Sequence, residues 1–149
     1  MHARREEIRS DSICWFLDEP TATQRDLQQA FERLRQTLNV QAYLGLVEVE
    51  CHFARYGAGD SYAKHLDRFR SDDRRVVSAV LYLNERWRAE DGGELRLFPP
   101  DGDAVQIRPH AGTLVVFLSD RVAHEVLPVR RERWSVAAWF RRRSAGGLP

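Results

Sequence analysis

The stretch Tyr62-Ala63-Lys64-His65-Leu66-Asp67 sets an imidazole and a carboxylate two residues apart. On an extended strand alternate side chains point to one face. His65 and Asp67 can therefore grip one metal ion from one side. Downstream, His124 in Ser119-Asp120-Arg121-Val122-Ala123-His124-Glu125-Val126 offers a third donor. Two imidazoles and one carboxylate suit a non-haem Fe(II) ion that keeps open coordination positions. Arg133, in Arg133-Trp134-Ser135 at the start of an apolar run, adds a guanidinium for an acidic co-substrate. Taken singly, each has a plain alternative: His-x-Asp pairs arise often by chance, and an arginine on a strand is commonly a surface residue.

Such residues need a scaffold that gathers them, and the patterning predicts one. Ile8 to Phe16 reads as a strand or an ordered connection. Thr21 or Thr23 can cap a helix whose apolar positions Leu27, Ala30, Phe31, Leu34 and Leu38 share one face, with Asn39 ending it. From Leu46 the period becomes two: Val47, Val49, Cys51 and Phe53 alternate with Glu48, Glu50, His52 and Ala54, up to Tyr56. Gly57-Ala58-Gly59-Asp60 breaks that strand, and the next carries His65 and Asp67. A charged loop from Arg68 to Arg75 follows, then a β-prone run from Val76 to Leu83 and a turn at Asp91-Gly92-Gly93. Further short strands are expected at Leu95 to Phe98, Val105 to Ile107, Thr113 to Leu118, His124 to Val129 and Trp134 to Phe140. One helix followed by many short strands argues a mainly β sandwich or barrel, and not a βαβ fold.

The chain of 149 residues, 43% hydrophobic, suits one domain with a real core. That domain is expected over residues 1–141, with residues 142–149 a disordered tail. A net charge of +1 gives no global drive toward nucleic acid or a membrane surface, and no aromatic stacking platform accompanies the arginines of the tail. Cys14 and Cys51 form no ligand pair or disulfide framework, and the charged start shows no leader or membrane span. A cytoplasmic protein is expected, with no membrane partner and no nucleic acid.

With these motifs placed, the run Tyr56 to Asp67, Leu81-Tyr82-Leu83-Asn84, Gly92-Gly93-Glu94-Leu95-Arg96-Leu97-Phe98-Pro99, Ser119-Asp120-Arg121, His124-Glu125-Val126 and Arg133 resembles the prolyl hydroxylase branch of the Fe(II)/2-oxoglutarate oxygenases. The similarity is to the oxygen-sensing hydroxylases of the hypoxia-inducible factor and their bacterial relatives, and it covers roughly Glu7 to Arg141.

The resemblance implies a double-stranded β-helix, a jelly-roll variant, with a buttressing helix near the amino terminus and iron at one mouth. It implies His65, Asp67 and His124 as the catalytic iron ligands. Arg133 would pair with the distal carboxylate of 2-oxoglutarate, helped by Tyr82, with Ser135, Tyr56 and Leu95 in the same pocket. Arg75 and Trp139 match positions where family members meet the peptide; Arg74 competes with Arg75 for that role. The implied reaction uses Fe(II), 2-oxoglutarate and O2, with ascorbate as a reductant. It hydroxylates a prolyl residue of a protein, in a bacterial setting a translation factor, and releases succinate and CO2. Two other readings compete: the same chemistry on a free amino acid or other small molecule, and a non-catalytic metal-binding or interaction module. The latter rests on how little precedes Ile8, where relatives carry another helix and strands. Tyr62 reads as a shield for the loop, and His52 as a satisfied core histidine.

Overall fold

A reciprocal cap starts the helix. The Thr21 hydroxyl accepts from the Gln24 N–H at 3.2 Å while the Gln24 side chain accepts from the Thr21 N–H at 3.1 Å. The computed structural model describes residues 9–16, 18–68 and 74–144. In chain order its elements are β1 (Ser12–Trp15), α1 (Ala22–Ala42), β2 (Leu46–Tyr56), β3 (Tyr62–His65), β4 (Arg75–Tyr82), a short 3-10 turn (Ala89–Asp91), β5 (Leu95–Phe98), β6 (Val105–Ile107), β7 (Leu114–Leu118), β8 (Ala123–Val126) and β9 (Arg133–Arg142).

Thr21, and not Thr23, is therefore the cap. Nor does Asn39 end the helix, which runs on to a left-handed cap at Tyr43, φ 52°. The Asn39 amide is used sideways: it donates to the Leu46 carbonyl and accepts from the Leu46 N–H, both at 2.8 Å. A residue able to cap a helix here fastens the next strand to it.

The strands form a five-stranded sheet in the order β1-β2-β9-β4-β7 and a four-stranded sheet in the order β3-β8-β5-β6. Their pairings are antiparallel throughout. This is the expected jelly roll. The alternation along β2 sends His52, Ala54 and Tyr56 between the sheets, and Val49, Cys51 and Phe53 toward α1. Two cores result. One lies inside the roll around Tyr82, Leu95, Phe117 and Val126. The other lies between α1 and the large sheet, where Phe31 meets Phe140 edge-on at 6.2 Å between ring centroids. Burial there pushes the Cys51 thiol up to about 12.

Several boundaries differ from expectation. β3 ends at His65, so Asp67 lies in the bend beyond the strand. β8 ends at Val126 because the chain then turns away; Val129 is held from the other side by the Gly59 N–H and the Asp60 carbonyl. Of the expected tail, Arg142 belongs to β9 and residues 145–149 lie outside the described residues, as do Ile8 and positions 69–73 of the charged loop. Among the described residues no helix is long and apolar enough to cross a membrane.

Asn39→Ala strips two hydrogen bonds from the backbone of Leu46, a residue only 1% exposed. The Leu46 carbonyl keeps the Arg35 guanidinium at 2.6 Å, so the loss falls on the N–H. Urea unfolding should show a loss of about 2 kcal/mol, since a buried peptide group left unpaired costs about 1–3 kcal/mol.

Candidate active site

His65 at the end of β3 faces His124 in β8 across the ladder of the small sheet. The bend after β3 carries Asp67 back under both rings. His65 Nε2 lies 3.4 Å and His124 Nε2 3.3 Å from the same atom, Asp67 Oδ1. The three expected residues thus converge, although Asp67 reaches the point from a bend and not from a strand. Each imidazole is oriented from behind. His65 Nδ1 donates to the Ala63 carbonyl at 2.7 Å and His124 Nδ1 to the Val122 carbonyl at 3.3 Å. Because a carbonyl only accepts, each Nδ1 carries its proton. Each Nε2 then meets the carboxylate either as a donor on a charged ring or as a lone pair aimed at a shared cation. A divalent ion would be held by the two Nε2 lone pairs and the Asp67 carboxylate. The donor set fits a non-haem Fe(II) ion.

Asp67 is itself held from the far side. The Ser78 hydroxyl donates to its Oδ2 at 2.7 Å, and Ser78 in turn bonds the Ser119 hydroxyl at 2.8 Å. Burial works to raise the carboxyl pKa, yet the hydrogen bonds from His124, His65 and Ser78 prevail and hold it well below the usual range.

Deeper in the same cavity lies Arg133, 1% exposed. Its Nε donates to the Gly93 carbonyl at 2.8 Å and its Nη2 to the Tyr82 hydroxyl at 3.4 Å. The guanidinium also sits 4.8 Å from the Tyr56 ring and 5.0 Å from the Tyr82 ring. Among the described residues none of these partners is a carboxylate. A buried cation without a counter-charge is costly, so the pocket favours an anion. Burial raises the pKa of both tyrosines, which leaves their hydroxyls protonated. Ser135 and Leu95 line the same space. Gly93, φ 65°, has little room for a side chain: a Cβ would stand 3.1 Å from Arg133 Cδ, in a backbone conformation that side-chain-bearing residues rarely adopt.

At the mouth, the Arg75 guanidinium lies 3.9 Å over the Trp139 ring and its Nε donates to Glu50 at 2.9 Å. Arg75, and not Arg74, lines the cavity. His52 is packed between Trp15 and Trp139 at 4.8 and 4.9 Å, with Nδ1 donating to the Phe53 carbonyl. It is a packed histidine as expected, and it also forms part of the cavity wall.

Sequence reasoning missed Ser78, Ser119, Gly93 and the Arg9–Asp11 pair beside the mouth. Ser78 had a signal, as a hydroxyl within an apolar strand. Gly93 was legible as a turn and as part of a motif of the resemblance, without its contact to Arg133. Ser119 stood within a motif of the resemblance, but its partner Ser78 lies far along the chain; Arg9 has Asp11 close by, while its contact with Tyr62 crosses the fold.

Comparison with known proteins agrees with this geometry. The pattern of the 2OG-Fe(II) oxygenase superfamily matches residues 51–141. A hypoxia-inducible factor prolyl hydroxylase of Caenorhabditis elegans is 42% identical over 87 residues, 56% of this chain and 12% of that one. The chain thus spans a small part of that curated relative. A crystal structure of a Pseudomonas putida prolyl-4-hydroxylase has a TM-score of 0.90 and 53% identity, over 94% of this chain and 76% of the other. A Trichoplax adhaerens prolyl hydroxylase, solved with a peptide of the hypoxia-inducible factor oxygen degradation domain, has a TM-score of 0.82 and 30% identity, over 93% and 67%. By its matched pattern, its fold and the convergence of His65, Asp67 and His124, the chain belongs to the 2OG-Fe(II) oxygenase superfamily.

Proposed function

We propose that the chain is an Fe(II)- and 2-oxoglutarate-dependent dioxygenase that hydroxylates a prolyl residue of a protein. The observation that carries this is the placing of two oriented imidazoles and a carboxylate around one point, beside a buried guanidinium that lacks an anion. The likeness to prolyl hydroxylases from Pseudomonas putida and Trichoplax adhaerens supports the choice of substrate.

In this reading His65, Asp67 and His124 hold Fe(II) on one face. The ion, with 2-oxoglutarate and O2, supplies the oxidation that puts one oxygen atom on the substrate carbon and the other into succinate, with loss of CO2. Ser78 keeps Asp67 turned toward the ion. Arg133 and the Tyr82 hydroxyl pair with the distal carboxylate of the co-substrate, a match that suits a planar guanidinium. Ser135, Tyr56 and Leu95 shape the sleeve around it and exclude water. Arg75 and Trp139 present the mouth to the peptide. Ascorbate would serve as reductant. A reducing cytoplasm suits the two free cysteines. The partner in this reading is a protein that bears the target proline, with a translation factor as the candidate.

Anaerobic addition of Fe(II) and then 2-oxoglutarate should raise a saturable visible charge-transfer band in the wild type and none in Asp67→Ala; no band in the folded wild type would remove the proposal. Arg133→Ala should weaken 2-oxoglutarate binding on the order of a hundredfold, as expected for losing charge-assisted hydrogen bonds, while Fe(II) affinity holds. Mass spectrometry of bacterial proteins after aerobic incubation should find one added oxygen on proline. Label on a free amino acid instead would move the assignment to the small-molecule reading.

A further inference from the structure

The three residues at the metal position are not equally secured. The side chains of Asp67 and His124 are 9% and 8% exposed, that of His65 17%. β3, which presents His65, has four residues and is an edge strand of the small sheet. The Ala63 carbonyl holds one edge of the imidazole through Nδ1, and a single such bond leaves the tilt of the ring to whatever packs on its face.

Tyr62 does so. Its ring lies parallel to that of His65, 3.7 Å between centroids and 12° between planes. Two residues three apart on a regular strand would face opposite sides. Here the pairing steps from Tyr62↔Val126 to His65↔His124, three residues on β3 against two on β8. That irregularity has the count of a bulge, and it turns both rings to one side. Tyr62 is held in its turn: the Arg9 guanidinium sits 4.8 Å from its ring centroid, fixed by two bonds to Asp11 at 2.5 and 2.8 Å. Backbone bonds clip the same segments together, from Ser10 N–H to the Ser61 carbonyl at 3.2 Å and from Ser61 N–H to the Ser10 hydroxyl at 3.0 Å.

We propose that Tyr62, clamped by Arg9 and Asp11, is a positioning residue for the metal site: it fixes the ring plane of His65, so that Nε2 is aimed before the ion arrives. The proposal rests on the reading of His65 as a ligand. An aimed ligand gives up less freedom on binding, so the clamp is expressed as metal affinity.

The test uses the full chain with Tyr62→Leu, Tyr62→Phe and Arg9→Leu. Fe(II) affinity is measured by anaerobic equilibrium dialysis. The reaction of His65 and His124 with diethylpyrocarbonate is followed by mass spectrometry on the metal-free protein. Tyr62→Leu should weaken Fe(II) binding about tenfold, the usual cost of losing an outer support of a ligand, while Tyr62→Phe keeps its ring and stays within about twofold of wild type. Tyr62→Leu should also speed modification of His65 and leave His124 unchanged. Arg9→Leu should move both readouts in the same directions by less, and it carries the test alone if Tyr62→Leu does not fold. Unchanged affinity in Tyr62→Leu, an equal loss in Tyr62→Phe, or equal speeding at both histidines overturns the clamp while the metal reading stands. A wild type without saturable Fe(II) binding overturns both.

Discussion

A carboxylate and a guanidinium lie inside a roll of apolar side chains, and much of the structure answers that cost. Neither charge pairs with the other. Asp67 is balanced by two imidazoles and a serine hydroxyl, Arg133 by a carbonyl and a tyrosine hydroxyl. At Asp67 the hydrogen bonds outweigh the cost of burial, whereas the neutral partners of Arg133 leave its charge without a counter-charge among the described residues. The fold supplies rigid partners from far along the chain: Ser78 from β4, Ser119 beyond β7, Gly93 before β5. An enclosing double sheet can bring such distant residues to one cavity while its ladders satisfy the backbone.

The same constraint accounts for what the sequence disclosed. Period-two alternation in β2 and β5 matched the observed limits of those strands, because burial on one face imposes that pattern directly. His65, Asp67, His124 and Arg133 were legible because their chemistry is rare inside a strand-rich chain. Asn39 misled because its amide satisfies a strand as readily as a helix end, and the choice depends on Leu46 being near. The strand assigned to both His65 and Asp67 was half right for a similar reason. A bend brings Asp67 to the same point that a straight strand would have reached, and residue spacing does not separate the two. The roles of Ser119 and Arg9 went unread because each depends on a contact across the fold, with Ser78 and with Tyr62.

The mouth is built on another balance. Trp15, His52 and Trp139 pack ring on ring, with Arg75 over Trp139. Trp139 Nε1 is buried with no hydrogen-bond partner among the described residues. Aromatic walls offer broad contact at low cost in side-chain freedom, and a free donor among them adds direction. β1 packs Trp15 against His52 and Trp139 of this wall, while Arg9, just before it, reaches Tyr62. One short amino-terminal segment therefore touches both the entrance and the flank of the metal position.

The irregularity in β3 gives that segment its purchase, and it means the site is written in the number of residues as well as in their kinds. Between Tyr62 and His65 stand Ala63 and Lys64, both exposed and neither reaching the cavity. Removing one of them would keep each chemical group and nearly all of the apolar pattern. It would also restore an even ladder and turn one of the two rings to the outside. Selection on this enzyme family would then act on insertions and deletions at two plain surface positions as severely as on the ligands, though no side chain there touches the chemistry.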